Sequence, residues 1–98
     1  MGESKALRDG LEALTDEQLV ERAVTAPEIE ADAACAELYG RHRRRVYGWC
    51  HGCLRDVDEA VDATQEIFVR AFRALDRFGG RARFTTWLYR IARNHCLS

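Results

Sequence analysis

From Val57 to Phe78 the residues Val57, Ala60, Val61, Thr64, Ile67, Phe68, Ala71, Phe72, Leu75 and Phe78 recur at intervals of three and four, and no other pattern in the chain is as long or as regular. That interval draws one continuous stripe along a helix. It cannot be laid on a strand, whose side chains alternate faces at every residue. The spacing predicts a helix from about Val57 to Arg77, with Asp56 and Glu59 placed to cap its start and Gly79-Gly80 to stop it. No stretch carries a sustained period of two, and no Asn-Gly or Asp-Gly turn joins two alternating segments, so no strand is expected. The fold class is all-α, a small bundle of three to four helices.

The other helices follow from caps and stripes. Thr15-Asp16-Glu17-Gln18 has the spacing of a capping box, in which the Thr hydroxyl and the Gln side chain each satisfy a backbone amide. Leu19, Val20, Ala23 and Val24 then make a short apolar stripe that Pro27 closes. A second helix is expected to begin near Asp32. It places Cys35, Leu38, Tyr39, His42, Val46, Trp49, Cys50, Cys53 and Leu54 on one buried face, with Gly48 and Gly52 suited either to close approach of another helix or to a fraying or break near the helix end. Thr85 or Thr86 can cap a last helix whose Trp87, Leu88, Ile91 and Ala92 point inward. Residues 1–14 have weak periodicity and read as a flexible end, leaving 15–98 as the folded domain.

Ninety-eight residues with 47% hydrophobic content support one modest core, which excludes a barrel or a two-domain enzyme with a cleft. No run approaches the roughly 20 apolar residues that span a bilayer. Met1-Gly2-Glu3-Ser4-Lys5 lacks the basic and apolar segments of an export signal, so a cytoplasmic location is expected. The net charge of -1 conceals a dipole. Residues 1–40 hold three basic and ten acidic side chains, whereas 41–98 hold twelve and six. From Arg77 onward stand Arg77, Arg81, Arg83, Arg90 and Arg93 with no carboxylate, which is where a polyanion would be drawn, unless these simply form a solvated basic face.

Catalytic chemistry finds no support. His42, His51 and His95 lie in helical segments without a nucleophile and orienting group around them, and Phe78-Gly79-Gly80-Arg81 lacks the strand and the Lys-Ser/Thr of a phosphate-binding loop. Cys50 and Cys53 have a suggestive spacing, but a closed zinc site needs four ligands and Cys35, Cys96, His42 and His95 offer no second close pair. No enzyme activity, cofactor or metal is expected, and the cysteines read as free thiols packed in the core. What remains is an acidic and amide face (Asp62, Gln65, Glu66, with Val69 and Arg73) and an arginine loop flanked by aromatic residues that leads into a basic helix. Phe78, Phe84, Trp87 and Tyr89 interleaved with arginines suit single-stranded nucleic acid, where bases stack on rings and guanidinium groups hold phosphates; for Phe84 and Trp87, taken by themselves, closure of the core is the favoured reading.

These residues also carry a resemblance. The run Asp62-Ala-Thr-Gln65-Glu66-Ile-Phe68-Val-Arg-Ala-Phe72-Arg-Ala-Leu75-Asp-Arg-Phe78, followed by Phe84-Thr-Thr-Trp87-Leu-Tyr-Arg-Ile-Ala-Arg-Asn94, closely resembles region 2 of the extracytoplasmic-function (group 4) sigma factors of the sigma-70 family. The segment from Glu37 to Tyr47 looks like the family's preceding helix, and the likeness covers about Thr15 to Ser98. The resemblance implies a non-enzymatic transcription-initiation domain. Asp62, Gln65 and Glu66 would dock on the clamp helices of the RNA polymerase beta-prime subunit. The loop Gly79, Gly80, Arg81, Ala82 and Arg83, with Phe78 and Phe84 at its edges, would capture a flipped non-template-strand base of the promoter minus-ten element. Arg90, Arg93 and Asn94 on the last helix would face the upstream duplex.

Members of this group normally continue into a linker and a second helix-turn-helix domain, so a chain ending at Ser98 reads as one domain of a longer protein, monomeric by default. An anti-sigma factor is a further partner that the resemblance implies. Cysteines where the family usually has ordinary apolar residues leave open a thiol or metal response. The alternatives to this reading are a small helical duplex-binding protein, which would not need the acidic face, and a cysteine-based zinc or redox sensor module.

Overall fold

The computed structural model describes residues 10–97. Their elements are α1 (Asp16–Thr25), α2 (Glu28–Leu54), α3 (Val57–Arg73), a 3-10 turn (Leu75–Arg77) and α4 (Phe84–Leu97), with one more helical turn at 10–12. No strand occurs among the described residues, in keeping with the all-α expectation. The chain divides into two compact units between Arg41 and His42, within α2.

In the first unit the capping box forms as its spacing predicts. The Gln18 amide donates to Thr15 Oγ1 at 3.1 Å and the Thr15 amide to Gln18 Oε1 at 2.8 Å. Helix α1 ends at Thr25, and α2 begins at Glu28, four residues before the expected Asp32. The carbonyl of Pro27 accepts the first helical hydrogen bond, from Ala31, at 2.8 Å. Proline suits a helix start because its missing N–H would have no partner there, and Glu28 and Glu30 favour the positive end of the helix dipole.

Of the flexible end expected at 1–14, residues 1–9 lie outside the described range, and 10–14 are held in place. Leu11 is only 2% exposed. Arg41 fixes this segment through its whole guanidinium fork. Nε donates to Glu37 Oε2 at 2.7 Å and Nη1 to Asp16 Oδ1 at 3.2 Å, while Nη2 donates to the carbonyls of Leu11 and Glu12 at 3.0 and 3.2 Å. The planar arginine head can bind four acceptors at once, as a lysine could not.

In the second unit α3 packs against α4 and the 3-10 turn. Its buried side is Ala60, Ala63, Thr64, Ile67, Phe68 and Ala71, and Asp56 caps its start by accepting the Glu59 amide at 2.8 Å. Removing Ile67 or Phe68 from water is worth about 1.5–3 kcal/mol each. The predicted stripe is too long at its first turns, since Val57 and Val61 are 57% and 41% exposed. It is also interrupted at the far end. The Ala74 amide is shared between the carbonyls of Arg70 (3.2 Å) and Ala71 (3.1 Å), which tightens the chain into the 3-10 turn at Leu75–Arg77. Leu75 stays buried across this change of pitch.

Helix α2 stops at Leu54 because Arg55 adopts a left-handed conformation (φ 57°). Gly40, Gly48 and Gly52 all face open space, so among the described residues Gly48 and Gly52 do not serve a close helix approach, the first of the two roles open to them. Among the described residues, no helix is long and apolar enough to cross a membrane.

Candidate functional site

Asp62, Gln65 and Glu66 are all exposed on the side of α3 turned away from its buried stripe, as helical spacing requires. Val69, 40% exposed, lies on the same side and adds an apolar spot. The Arg70 Nε approaches Glu66 Oε1 at 3.5 Å, a long contact between two half-exposed groups. Such a pair contributes little on its own and leaves the Glu66 carboxylate available to a partner.

The loop after the 3-10 turn takes its shape from Gly79 and Gly80, with φ of 71° and 70°. Two successive left-handed residues reverse the chain sharply, and a side chain at either position would be strained whatever the space around it. Gly79, Gly80, Arg81 and Arg83 are exposed, and Ala82 is half-buried. Helix α4 starts at Phe84, with the Arg83 carbonyl accepting from the Trp87 amide at 3.1 Å. Arg83 therefore stands at the helix cap, and Thr85 and Thr86, expected there, lie inside the first turn.

Three rings close the base of this loop. Phe78 meets Phe84 edge to face with centroids 6.1 Å apart, and Phe84 meets Trp87 at 5.9 Å. His42 also meets Phe84, with ring centroids 5.5 Å apart. Phe84 is 0% exposed, so its assignment to direct nucleic-acid contact is corrected: it supports the loop from within the core. Phe78 is half-buried and remains at the edge of the loop. On α4, Arg90, Arg93 and Asn94 are all exposed, with Leu88 and Ala92 turned inward. The structure thus gathers the arginine loop and the basic helix around one aromatic base, and it leaves the carboxylate and amide groups of α3 on an outward face.

The sulfur chemistry is only half visible in the sequence. Cys50 is buried in the stripe as expected, but Cys53 is exposed, because α2 ends one residue later and its last turn is uncovered. Its thiol points at the Cys96 carbonyl, 3.7 Å away, and the Cys96 thiol lies 3.6 Å from the Cys50 sulfur. Burial, and then the neighbouring Cys50 and Cys53, push the Cys96 thiol up to about 12. Cys96 has no local signal, being 46 positions from its partner. Among the described residues, no group of three or more His, Cys, Asp or Glu side chains is arranged to hold a metal ion.

Comparison with known proteins gives this arrangement a family. The family model described as Sigma-70 region 2 matches residues 38–98. The chain is similar to the ECF RNA polymerase sigma factor SigW of Bacillus subtilis (strain 168), with 33% identity over 78 residues, 80% of this chain and 42% of that protein. It is 39% identical over 79 residues to the RNA polymerase sigma-H factor of Pseudomonas aeruginosa, covering 81% of the chain and 39% of the relative. It is 40% identical over 83 residues to the ECF RNA polymerase sigma-E factor of Escherichia coli (strain K12), covering 85% and 41%. The chain spans about two fifths of the length of these relatives.

Proposed function

Because the chain belongs to the sigma-70 region 2 family, we propose that it is the polymerase-binding and promoter-recognising domain of an extracytoplasmic-function sigma factor, acting without enzymatic activity in transcription initiation. The observation that carries this reading is the coexistence, on one helical unit, of an exposed Asp62/Gln65/Glu66 face and an exposed arginine loop anchored by aromatic rings.

The first surface is assigned to the beta-prime clamp helices of RNA polymerase. Asp62 and Glu66 offer carboxylates to basic groups, Gln65 offers a donor and an acceptor, and Val69 adds a small apolar contact. The second surface is assigned to the non-template strand of the minus-ten element. Flipping a base out of a duplex costs a few kcal/mol of unstacking, which a pocket and phosphate contacts must offset. Gly79 and Gly80 let the backbone come close to a base, and Arg81 and Arg83 hold the adjoining phosphates. Arg90, Arg93 and Asn94 meet the duplex upstream. Phe78 lines the loop, and Phe84 sets its position from inside. The domain would work where RNA polymerase works, in the cytoplasm, as a monomer, with an anti-sigma factor as the partner that covers these faces when transcription is not called for.

The test is binding to an isolated beta-prime clamp-helix fragment by wild type and by a Gln65→Ala, Glu66→Ala double variant of verified helicity. The proposal requires that wild type bind and that the variant lose at least tenfold in affinity. Folded wild type that does not bind the fragment would sink it.

A further inference from the structure

Three thiols from two helices converge at the end of the second unit, and neither the polymerase face nor the arginine loop makes use of them. Cys50 and Cys53 come from the last turns of α2, and Cys96 from the last turn of α4. The sulfurs of Cys50 and Cys96 are 3.6 Å apart, against the roughly 2.05 Å of a disulfide bond. A side-chain rotation and a small closing of the two helix ends would join them. Trp49 and Tyr89 meet edge to face beside them, centroids 4.7 Å apart, and hold α2 against α4. The exposed Cys53 lines a cavity of about 210 Å³ together with Trp49, Tyr89, Arg93 and Cys96. A small molecule therefore has an open route to Cys53 and Cys96, and none to the fully buried Cys50.

We propose that Cys50 and Cys96 are a reversible dithiol–disulfide pair, oxidised by a low-molecular-weight disulfide that enters through Cys53. The steps are thiol–disulfide exchanges. The Cys53 sulfur attacks one sulfur of the small disulfide, whose S–S bond breaks, and the first small thiol leaves with the proton Cys53 has lost. The Cys96 sulfur then attacks the Cys53 sulfur and expels the second small thiol, which carries away the Cys96 proton. Finally the Cys50 sulfur attacks Cys96 and returns Cys53 to a thiol, protonated at the expense of Cys50. Two protein thiols have lost two electrons, and one small disulfide has become two thiols. Entry at Cys53 agrees with the high proton affinity of Cys96, which makes Cys96 a poor first nucleophile at neutral pH.

The experiment treats the reduced 98-residue chain with oxidised glutathione at neutral pH, blocks free thiols by alkylation, and reads intact mass and fragment masses. The expected product has lost two of its four free thiols, retains no glutathione and carries a Cys50–Cys96 bond, identified by backbone cleavage across His51 and Gly52. A dithiol reductant restores it. Cys53→Ser is expected to give the same bond at least tenfold more slowly, and Cys35→Ser to change nothing. Since Cys50→Ala could weaken folding, Cys96→Ser, checked by circular dichroism, is the second variant, and it must stop at a glutathione adduct on Cys53. A stable adduct on the wild-type chain with Cys96 still open to alkylation overturns the proposal. So does a cross-link that the fragment masses place between Cys53 and Cys96.

Discussion

Phe78, which enters the glycine loop, meets Trp87, which stands in the first turn of the helix leaving it, edge to face with ring centroids 5.3 Å apart and planes at 63°. The loop Gly79–Arg83 is therefore clasped at its base by a contact between its two flanks. Edge-to-face pairs contribute about 0.5–1.5 kcal/mol beyond the area they bury. A double-mutant cycle of Phe78→Leu and Trp87→Leu, followed by urea unfolding, is expected to return a coupling energy in that range. Additive effects of the two substitutions would show that the rings merely coincide.

The two loop glycines and the helical glycines should respond oppositely to alanine. Gly79→Ala or Gly80→Ala places a Cβ on a left-handed backbone and is expected to cost about 1–2 kcal/mol. Gly48→Ala and Gly52→Ala fill open space on α2 and are expected to stabilise by about 0.5–1 kcal/mol each. Chemical denaturation of the four variants side by side checks both signs.

At the first unit the decisive residue is Arg41. Arg41→Lys keeps the charge but removes the fork that reaches Glu37, Asp16 and two carbonyls. A loss of about 2 kcal/mol is expected, nearly as large as for Arg41→Met, because hydrogen bonds to charged groups typically contribute about 1.5–3 kcal/mol. Thermal unfolding of the two variants measures it, and a Lys variant as stable as wild type would contradict the role of the fork.

Binding to single-stranded DNA should report the loop charges. On a single strand, each phosphate that a cationic side chain neutralises adds about 0.7 to the slope of log K against log salt. Arg81→Ala and Arg83→Ala are each expected to weaken binding to all sequences alike and to make the slope shallower by that amount. Filter binding or fluorescence anisotropy at several salt concentrations gives the number.

Stability should also fall at alkaline pH through Cys96. Its thiol titrates at about 12 in the folded chain and at the ordinary value of 9.0 when unfolded. The native state therefore holds the proton more tightly between those values. The stability this provides is complete below pH 9 and declines as pH rises toward 12. Cys96→Ser should show a shallower decline over that window, because the thiol whose proton the fold retains is gone.

The departures from the sequence reading have local physical causes. The stripe of α3 is legible because burial follows the helical period from Ala60 to Ala71. The start of α2 lies ahead of its apolar stripe because residues 28–31 bring no buried side chain, and a helix start held by Pro27 and acidic residues leaves no apolar trace. The break at Ala74 is invisible for the opposite reason: Leu75 keeps the apolar spacing across a change of helix type that only the shared Ala74 amide reveals. At the candidate surfaces, Asp62, Gln65, Glu66 and the loop arginines could be nominated because polar residues on a helical frame end up exposed. The burial of Phe84 and the meeting of Cys50 with Cys96 depend on long-range packing, which no local pattern encodes.

Along α2 and its exit, residue type and backbone demand are crossed. Gly40, Gly48 and Gly52 stand in helical positions where a methyl group would meet nothing, while Arg55 occupies the left-handed position that glycine takes freely. Each mismatch weakens the fold by about 1 kcal/mol. Single-nucleotide changes suffice to turn a glycine codon into alanine, or many arginine codons into glycine, and none of these four sites belongs to the proposed binding surfaces. A typical substitution that alters recognition costs about 1 kcal/mol of stability. This helix therefore holds mutational headroom: alanine at one of these glycines, or glycine at Arg55, could restore the stability that a substitution elsewhere in the chain removes.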